Sequence, residues 1–227
     1  TSCGMRAARG AVSRVGPADD GTLEITTVGD APARGICGSG LVDLLAELLR
    51  NGTLDRAGRL RSDAPGVTET EHGHELAVVP AERTATGVPL TITGADIETL
   101  LRSKAAVYAG AAVLARRLGV AMTDIERVYV AGGFGSSLDV EKAMLIGLLP
   151  DVPPDRVTFI GNGSVTGARM ALLSHDAWTR AAELADRMTY RDLSADNSFM
   201  DEYVAALFLP HTDSERFPRA AAALGMA

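Results

Sequence analysis

The sequence predicts an α/β fold with a mixed sheet, and three observations carry that expectation. Strand, glycine turn and helix follow one another twice, with the turns at Gly132 and Gly161, and that order calls for parallel strands joined by crossover helices. The strands of this region are short apolar runs, as expected when helices cover both sheet faces. Near the start, two β-rich runs flank Gly16-Pro17-Ala18-Asp19-Asp20-Gly21, a turn-forming stretch that predicts a hairpin.

Taken in order, residues 8–15 and 22–28 are the hairpin strands, the second with clear alternation. Ser39 is the expected cap of a helix from about Gly40 to Arg50, with Leu41, Leu44, Leu45, Leu48 and Leu49 on one stripe. Asn51-Gly52 closes it, because both residues tolerate the left-handed conformation of a C-cap. Residues 76–80 and 90–93 read as short strands around a polar loop. Thr93 followed by Asp96 opens the longest helix, about 95–118, through a hydroxyl with an acid three residues on. Its Ala-rich middle favours close packing.

The informative region follows. Arg127–Ala131 is read as a strand, Gly132–Gly135 as a turn and Asp139–Leu149 as a helix. Arg156–Ile160, Gly161–Gly163 and Ser164–Leu173 repeat the order. A helix over Asp176–Met188, a mixed helix and short strand over Asn197–Leu209, and a flexible tail over 219–227 complete the reading. Residues 1–218 form the expected domain, with 53–118 inserted in it as a helical subdomain.

Composition narrows the function. The chain has 227 residues, 46% hydrophobic and 22% charged, with a net charge of −7. That is a globular balance. The 22 basic residues are scattered and only Lys104 and Lys142 are lysine, so no nucleic-acid surface is expected. The longest uncharged run of mainly small and apolar residues, Ala105–Ala115, is far short of the roughly 20 residues of a spanning helix, so no membrane association is expected and a cytoplasmic setting is. Two cysteines, Cys3 and Cys37, are too few for a zinc ribbon or an iron–sulfur cluster. They are read as small buried residues. The chain starts at Thr1 rather than Met and reads as an internal piece of a longer protein.

In parallel sheets, ligands bind at the carboxyl ends of the strands, where Gly132, Gly133, Gly135, Gly161 and Gly163 fall. Glycine lets a ligand approach the backbone, and the following helix N-terminus offers amides to an anion. This is a place for a nucleotide; the plain alternative is a pair of tight connections. The G-x-x-x-x-G-K-[ST] phosphate loop is absent. Gly161-Asn-Gly163-Ser-Val-Thr-Gly167 has one residue too many for a dinucleotide fingerprint, and no strand ending in an acid follows. His72-Gly-His74 lies among glutamates and could attract a metal, but reads better as a solvated acidic loop. Trp178 and Phe199 are expected as core or interface anchors.

Six segments carry a resemblance. They are Ser2–Ala7, Gly35–Asp43, Ser103–Ala106, Val128–Gly135, Phe159–Ser164, and Asn197–Tyr203 with Phe208–Pro210. In this order they resemble the C-terminal domain of the reductive activators of corrinoid proteins, ferredoxin-like proteins in the superfamily of acetate and sugar kinases, Hsp70 and actin. The resemblance spans about residues 1–217. It implies an actin-like (ribonuclease H-like) ATPase lobe. It implies a parent with a [2Fe–2S] domain that uses ATP or ADP with Mg, reduces a cobalt(II) corrinoid protein to cobalt(I), and works as a homodimer.

By the same resemblance, Ala131-Gly-Gly-Phe-Gly-Ser136 matches the adenosine motif, which assigns Gly132, Gly133, Phe134, Gly135 and Ser136 to the nucleotide. Lys104, beside Ser103, is a candidate near base and sugar, against the alternative of a solvated helix lysine. Gly38, Ser39 and Gly40 are candidates to face phosphate, against ordinary helix capping. The family's Asp-Ile-Gly-Thr-Asn-Gly-Glu phosphate loop is not in this chain, nor is a metal-binding acid recognisable. The chain is therefore expected to bind the adenosine part of ATP without hydrolysing it alone, and no catalytic residue is assigned. A lobe of a sugar or acid kinase, and a non-catalytic dimerisation or docking module, are the competing expectations.

Overall fold

A computed structural model describes residues 1–18, 22–133 and 137–226. The hairpin forms as expected: β1 (Ala11–Pro17) pairs antiparallel with β2 (Leu23–Thr27). β3 (Gly35–Ile36) adds parallel to the other side of β1, giving the order β2-β1-β3. Helix α1 (Gly38–Arg50) packs on this sheet, with Leu44, Leu45 and Leu48 fully enclosed. Its N-cap is Cys37, two residues before the expected Ser39. The reason is local. Gly40 sits so close to β1 that a Cβ there would stand 2.3 Å from the Val12 carbonyl oxygen, and the Ser39 hydroxyl is used on the Ser13 carbonyl at 3.0 Å.

The inserted region is richer in strand than the sequence suggests. β4 (Val67–Thr70), β5 (Gly73–Val79) and β6 (Leu90–Thr93) form an antiparallel meander. β4 escapes sequence reading because its residues are mostly exposed, so no apolar period marks it. His72 and His74 belong to the β4–β5 hairpin, and His74 faces Glu69 across the ladder. Helix α2 (Gly94–Arg117) opens on the expected box: Thr93 accepts from the Asp96 amide while Asp96 accepts back from the Thr93 amide. Its buried stripe includes Lys104, and the stripe's Ile97, Leu101, Ala105 and Tyr108 join Leu48, Leu54 and Ile92 in one core.

The parallel pair β7 (Val128–Val130) and β8 (Val157–Phe159) aligns Val128 with Val157 and Val130 with Phe159. Among the described residues, β7 and β8 form a sheet of their own rather than extending the first one. Between them, α3 (Val140–Leu145) is capped by Asp139 and ends four residues before the expected Leu149. Lys142 of α3 reaches into the first sheet, donating to the Val15 carbonyl and pairing with Glu47 of α1 at 3.0 Å.

Helices α4 (Gly163–Leu173) and α5 (His175–Arg187) follow β8 and pack mainly on each other, with no residue of either buried. Trp178, expected as a core or interface anchor, is 62% exposed on α5. Helix α6 (Asn197–Ala205) lies along α2, and Phe199 stacks on Tyr203 within it. The short strand expected before Leu209 does not form.

The tail expectation is also corrected. Residues Pro218–Ala223 form helix α7, started by a proline in its first turn. Phe217 is fully buried against Tyr108, and Ala220 and Ala221 are buried with it.

Candidate functional site

The two glycine turns stand side by side because β7 and β8 are adjacent and parallel. The Ile160 amide donates to the Val130 carbonyl at 3.0 Å, and the Gly132 amide donates to the Gly161 carbonyl at 2.6 Å. Gly132 has φ 102° and Gly161 has φ 63°, values that a side chain disfavours. Among the described residues, a Cβ built at Gly132 or Gly161 would meet no atom within 4 Å.

Gly133 lines an open cleft of about 520 Å³ with Ser137, Gly38, Ser39, Cys37 and Arg6. Gly38 and Ser39 bring the N-terminus of α1 to this cleft. The Cys37 side chain makes no capping bond to the first-turn amides, which leaves donors for an anion. The α4 N-terminus differs, since the Asn162 side chain accepts from the Val165 amide at 3.1 Å. Arg6 brings a guanidinium with no acid in ion-pair range among the described residues. Sequence reading does not single out Arg6, because an arginine between Met5 and Ala7 carries no chemical signature by itself.

The predicted residues therefore divide. Gly38, Ser39 and Gly133 share the cleft, and Gly132, Gly161 and Gly163 adjoin it through the hydrogen bonds at the strand ends. Phe134, Gly135 and Ser136 lie outside the described residues. Gly40 is pressed on β1.

Lys104 is neither in the cleft lining nor solvated. It is 3% exposed, and its Nζ donates to the carbonyls of Phe208 and Pro210, both at 2.6 Å. Burial pulls its pKa down to about 7. In this structure the lysine fastens the segment after α6 to α2.

Arg56 does the same from the other side, with bonds to the carbonyls of Leu209 at 3.1 Å and His211 at 2.7 Å. Beside them, Glu202 of α6 is enclosed by Arg116, Arg216 and His211. The Asp213 amide donates to His211 Nδ1 at 3.0 Å, so a neutral ring carries its proton on Nε2, 3.4 Å from Glu202. That contact, with Arg216 and Arg116, holds the Glu202 carboxyl down at about 2 against the opposing effect of burial.

The described part of the cleft has no acidic side chain among its lining residues. Nor do the described residues contain three or more His, Cys, Asp or Glu placed to hold a metal. Cys3 and Cys37 are free, buried thiols. Burial, then the charge of Asp96, pushes Cys3 up to about 11, which keeps it protonated and unreactive. No described helix is long and apolar enough to cross a membrane.

Comparison with known proteins adds to this geometry. Residues 1–221 match the family described as "C-terminal domain of RACo the ASKHA domain". The chain is 33% identical over 211 residues to the corrinoid activation enzyme RamQ of Eubacterium limosum, covering 88% of this chain and 35% of that protein. It is 26% identical over 157 residues to the [Co(II) methylated amine-specific corrinoid protein] reductase of Methanosarcina barkeri, covering 69% of this chain and 25% of that one. A solved structure, the reductive activator for corrinoid, iron-sulfur protein, superposes with a TM-score of 0.87 at 43% identity. The match covers 95% of this chain and 35% of that one. The chain thus spans about a third or less of the length of these relatives.

Proposed function

The chain belongs to the family of RACo C-terminal ASKHA domains, with its actin-like fold, and from that premise we propose that it is the nucleotide-binding lobe of a reductive activator of corrinoid proteins. One observation carries the assignment of the site. Gly133, the start of α1 and Arg6, whose guanidinium has no acid in ion-pair range among the described residues, line one open cleft, and the joined turns at Gly132 and Gly161 adjoin it. Adenosine would lie on the glycine backbone, and the phosphates would take the amides of Gly38 and Ser39 with Arg6. Gly133 and Ser137 flank the place between them.

The longer protein would spend ATP, hydrolysed to ADP and phosphate, to drive one electron onto cobalt(II) and leave cobalt(I). The electron comes from a [2Fe–2S] group, which this chain does not fit. Such a cluster takes four ligands of the cysteine type, and here there are two buried cysteines with one thiol held protonated. Mg would accompany the phosphates. No described cleft residue is acidic, so in this reading carboxylates from other parts of the protein would hold it and this chain alone would not hydrolyse ATP.

The chain would act as a homodimer, and the support is amphipathic α5 with Trp178 open to a second copy. Its free thiols fit a reducing cytoplasm.

The test is an ATP titration followed by backbone NMR, with ATPase activity measured alongside. Shifts confined to residues 5–7, 37–39, 131–137 and 160–163, about tenfold weaker binding in Arg6→Ala, and no turnover above background are expected. Absence of shifts at Gly132 and Gly133 overturns the site. Metal-dependent hydrolysis by the purified chain overturns its dependence on the rest of the protein. Sedimentation at micromolar concentration as a monomer overturns the dimer.

A further inference from the structure

A larger hollow, of about 560 Å³, opens beside the other end of α1, between β2 and the β4–β5–β6 sheet. Its floor is apolar, built from Leu23, Ile25, Leu48, Leu76 and Val78, and Arg83 stands on its rim. A second hollow of about 400 Å³ shares Ile25 and Arg83 with the first and continues past Thr26 and Thr27. Together they run along β2. Five residues of strand span about 17 Å.

β2 is the edge of its sheet, and the ladder tells which way its backbone points. The Ala18 amide donates to the Thr22 carbonyl at 2.9 Å. The next pair, Pro17 with Leu23, is then a non-hydrogen-bonded one, and so is Val15 with Ile25. Independent contacts agree. Val15 spends its amide on Asp43 at 3.1 Å and its carbonyl on Lys142, both away from β2.

Leu23 and Ile25 therefore turn their amides and carbonyls away from β1 and along the two hollows. Among the described residues, only the Ile25 carbonyl has a partner there, Arg83 Nη2 at 3.3 Å. Among the described residues that carbonyl is the only hydrogen-bond acceptor of the Arg83 side chain, and no described carboxylate stands in ion-pair range of it.

We propose that the free edge of β2 takes up an extended polypeptide strand bearing an acidic side chain. Leu23 and Ile25 would pair with its backbone, as in strand addition to an exposed edge. Its alternate side chains would rest on Leu76 and Val78, and its carboxylate would take Arg83. The donors and acceptors of Leu23 and Ile25 repeat every second residue, which another strand matches and a compact small molecule does not. The incoming amide replaces Arg83 on the Ile25 carbonyl, and the guanidinium exchanges a neutral acceptor for a charged one, the stronger kind of bond. This inference stands apart from the nucleotide site and does not depend on it.

The test uses the 227-residue chain and a blocked heptapeptide alternating valine and threonine with one central glutamate. Binding is read from the backbone amide shifts of Leu23 and Ile25. Binding at least tenfold tighter than that of the central-lysine peptide is expected, as is loss of binding when alternate peptide amides are N-methylated. Arg83→Glu should invert the preference toward lysine, so a charge swap rescues what a mere loss of fold would not. Three results overturn the proposal: no binding at millimolar peptide, equal binding of the N-methylated peptide, or displacement of the peptide by octanoate at equal concentration, which would make the cleft a small-acid site.

Discussion

The Gly132 amide and the Gly161 carbonyl meet at 2.6 Å, so two turns 29 residues apart in the chain act as one surface. Each turn supplies what the other lacks. Gly132 brings the open backbone, and Gly161 the acceptor that holds it in a conformation few side chains adopt.

Replacing Gly132 by valine tests that coupling. No described residue crowds the site, so the expected cost is conformational, about 1–2 kcal/mol for a side chain forced to positive φ. We expect a small loss of thermal stability and at least a tenfold loss of adenine nucleotide affinity by calorimetry. Unchanged affinity would separate the turn from the ligand.

Lys104 makes stability depend on pH in a definite direction. Its folded pKa is about 7, below the roughly 10.4 of an exposed lysine. Between those values the unfolded chain holds a proton that the folded chain has released, so this group makes folding more favourable as pH rises from about 7 to about 10. Below 7 its penalty is complete and constant. Urea unfolding at pH 7, 8 and 9 should show a rising midpoint, and the rise should shrink in Lys104→Met. A parallel slope in both proteins would show the lysine to be ordinary.

Glu202 acts at the opposite end of the scale. Its carboxyl is held at about 2 in the folded state and near 4.3 when unfolded. The stability it contributes is present above about pH 4 and lost as pH falls toward 2. Glu202→Gln should destabilise the chain by about 1.5–3 kcal/mol at neutral pH, as expected for removal of hydrogen bonds to charged groups. It should flatten the acid limb of the stability curve. Circular dichroism melts from pH 2 to pH 7 would read both.

The final segment is structural ballast for α2. Phe217→Ala removes a fully buried ring from contact with Tyr108, and loss of a buried aromatic costs about 3–5 kcal/mol. Chemical unfolding of this variant should show that loss, whereas Arg219→Ala on the exposed side should change little. Equal effects would mean that the packing of α7 is not what matters.

These residues also show what can be read from a sequence and what cannot. The hairpin, the capping box at Thr93 and the tandem order of strand and helix depend on local chemistry and form among the described residues, although β1 runs through Gly16 and Pro17, which turn chemistry alone would assign to the loop. The burial of Lys104 is legible in the helix pattern. This residue shares helical spacing with Ile97, Leu101, Ala105 and Tyr108, which puts it on the buried face, but a lysine is ordinarily read as solvated. The Phe217-Pro218 start of α7 is likewise a legible helix signal, placed immediately before the 219–227 stretch expected as a tail. Arg6 and β4 were not legible. One depends on a cleft assembled from three distant segments, and the other on ladder bonds along a strand with little apolar surface. The separation of β7 and β8 from the first sheet is a tertiary outcome that no local pattern encodes.

Because α4 and α5 bury no residue and pack mainly on each other, little free energy opposes their opening. In hydrogen–deuterium exchange, the amides of 163–187 should trade before those of α1 and α2, as a small cooperative unit of its own. That unit begins at the turn bonded to Gly132. A nucleotide seated there would meet only the first turn of α4 yet slow the exchange of the whole unit, so the occupancy of the cleft would be legible in the protection of α5, which lies beyond the site.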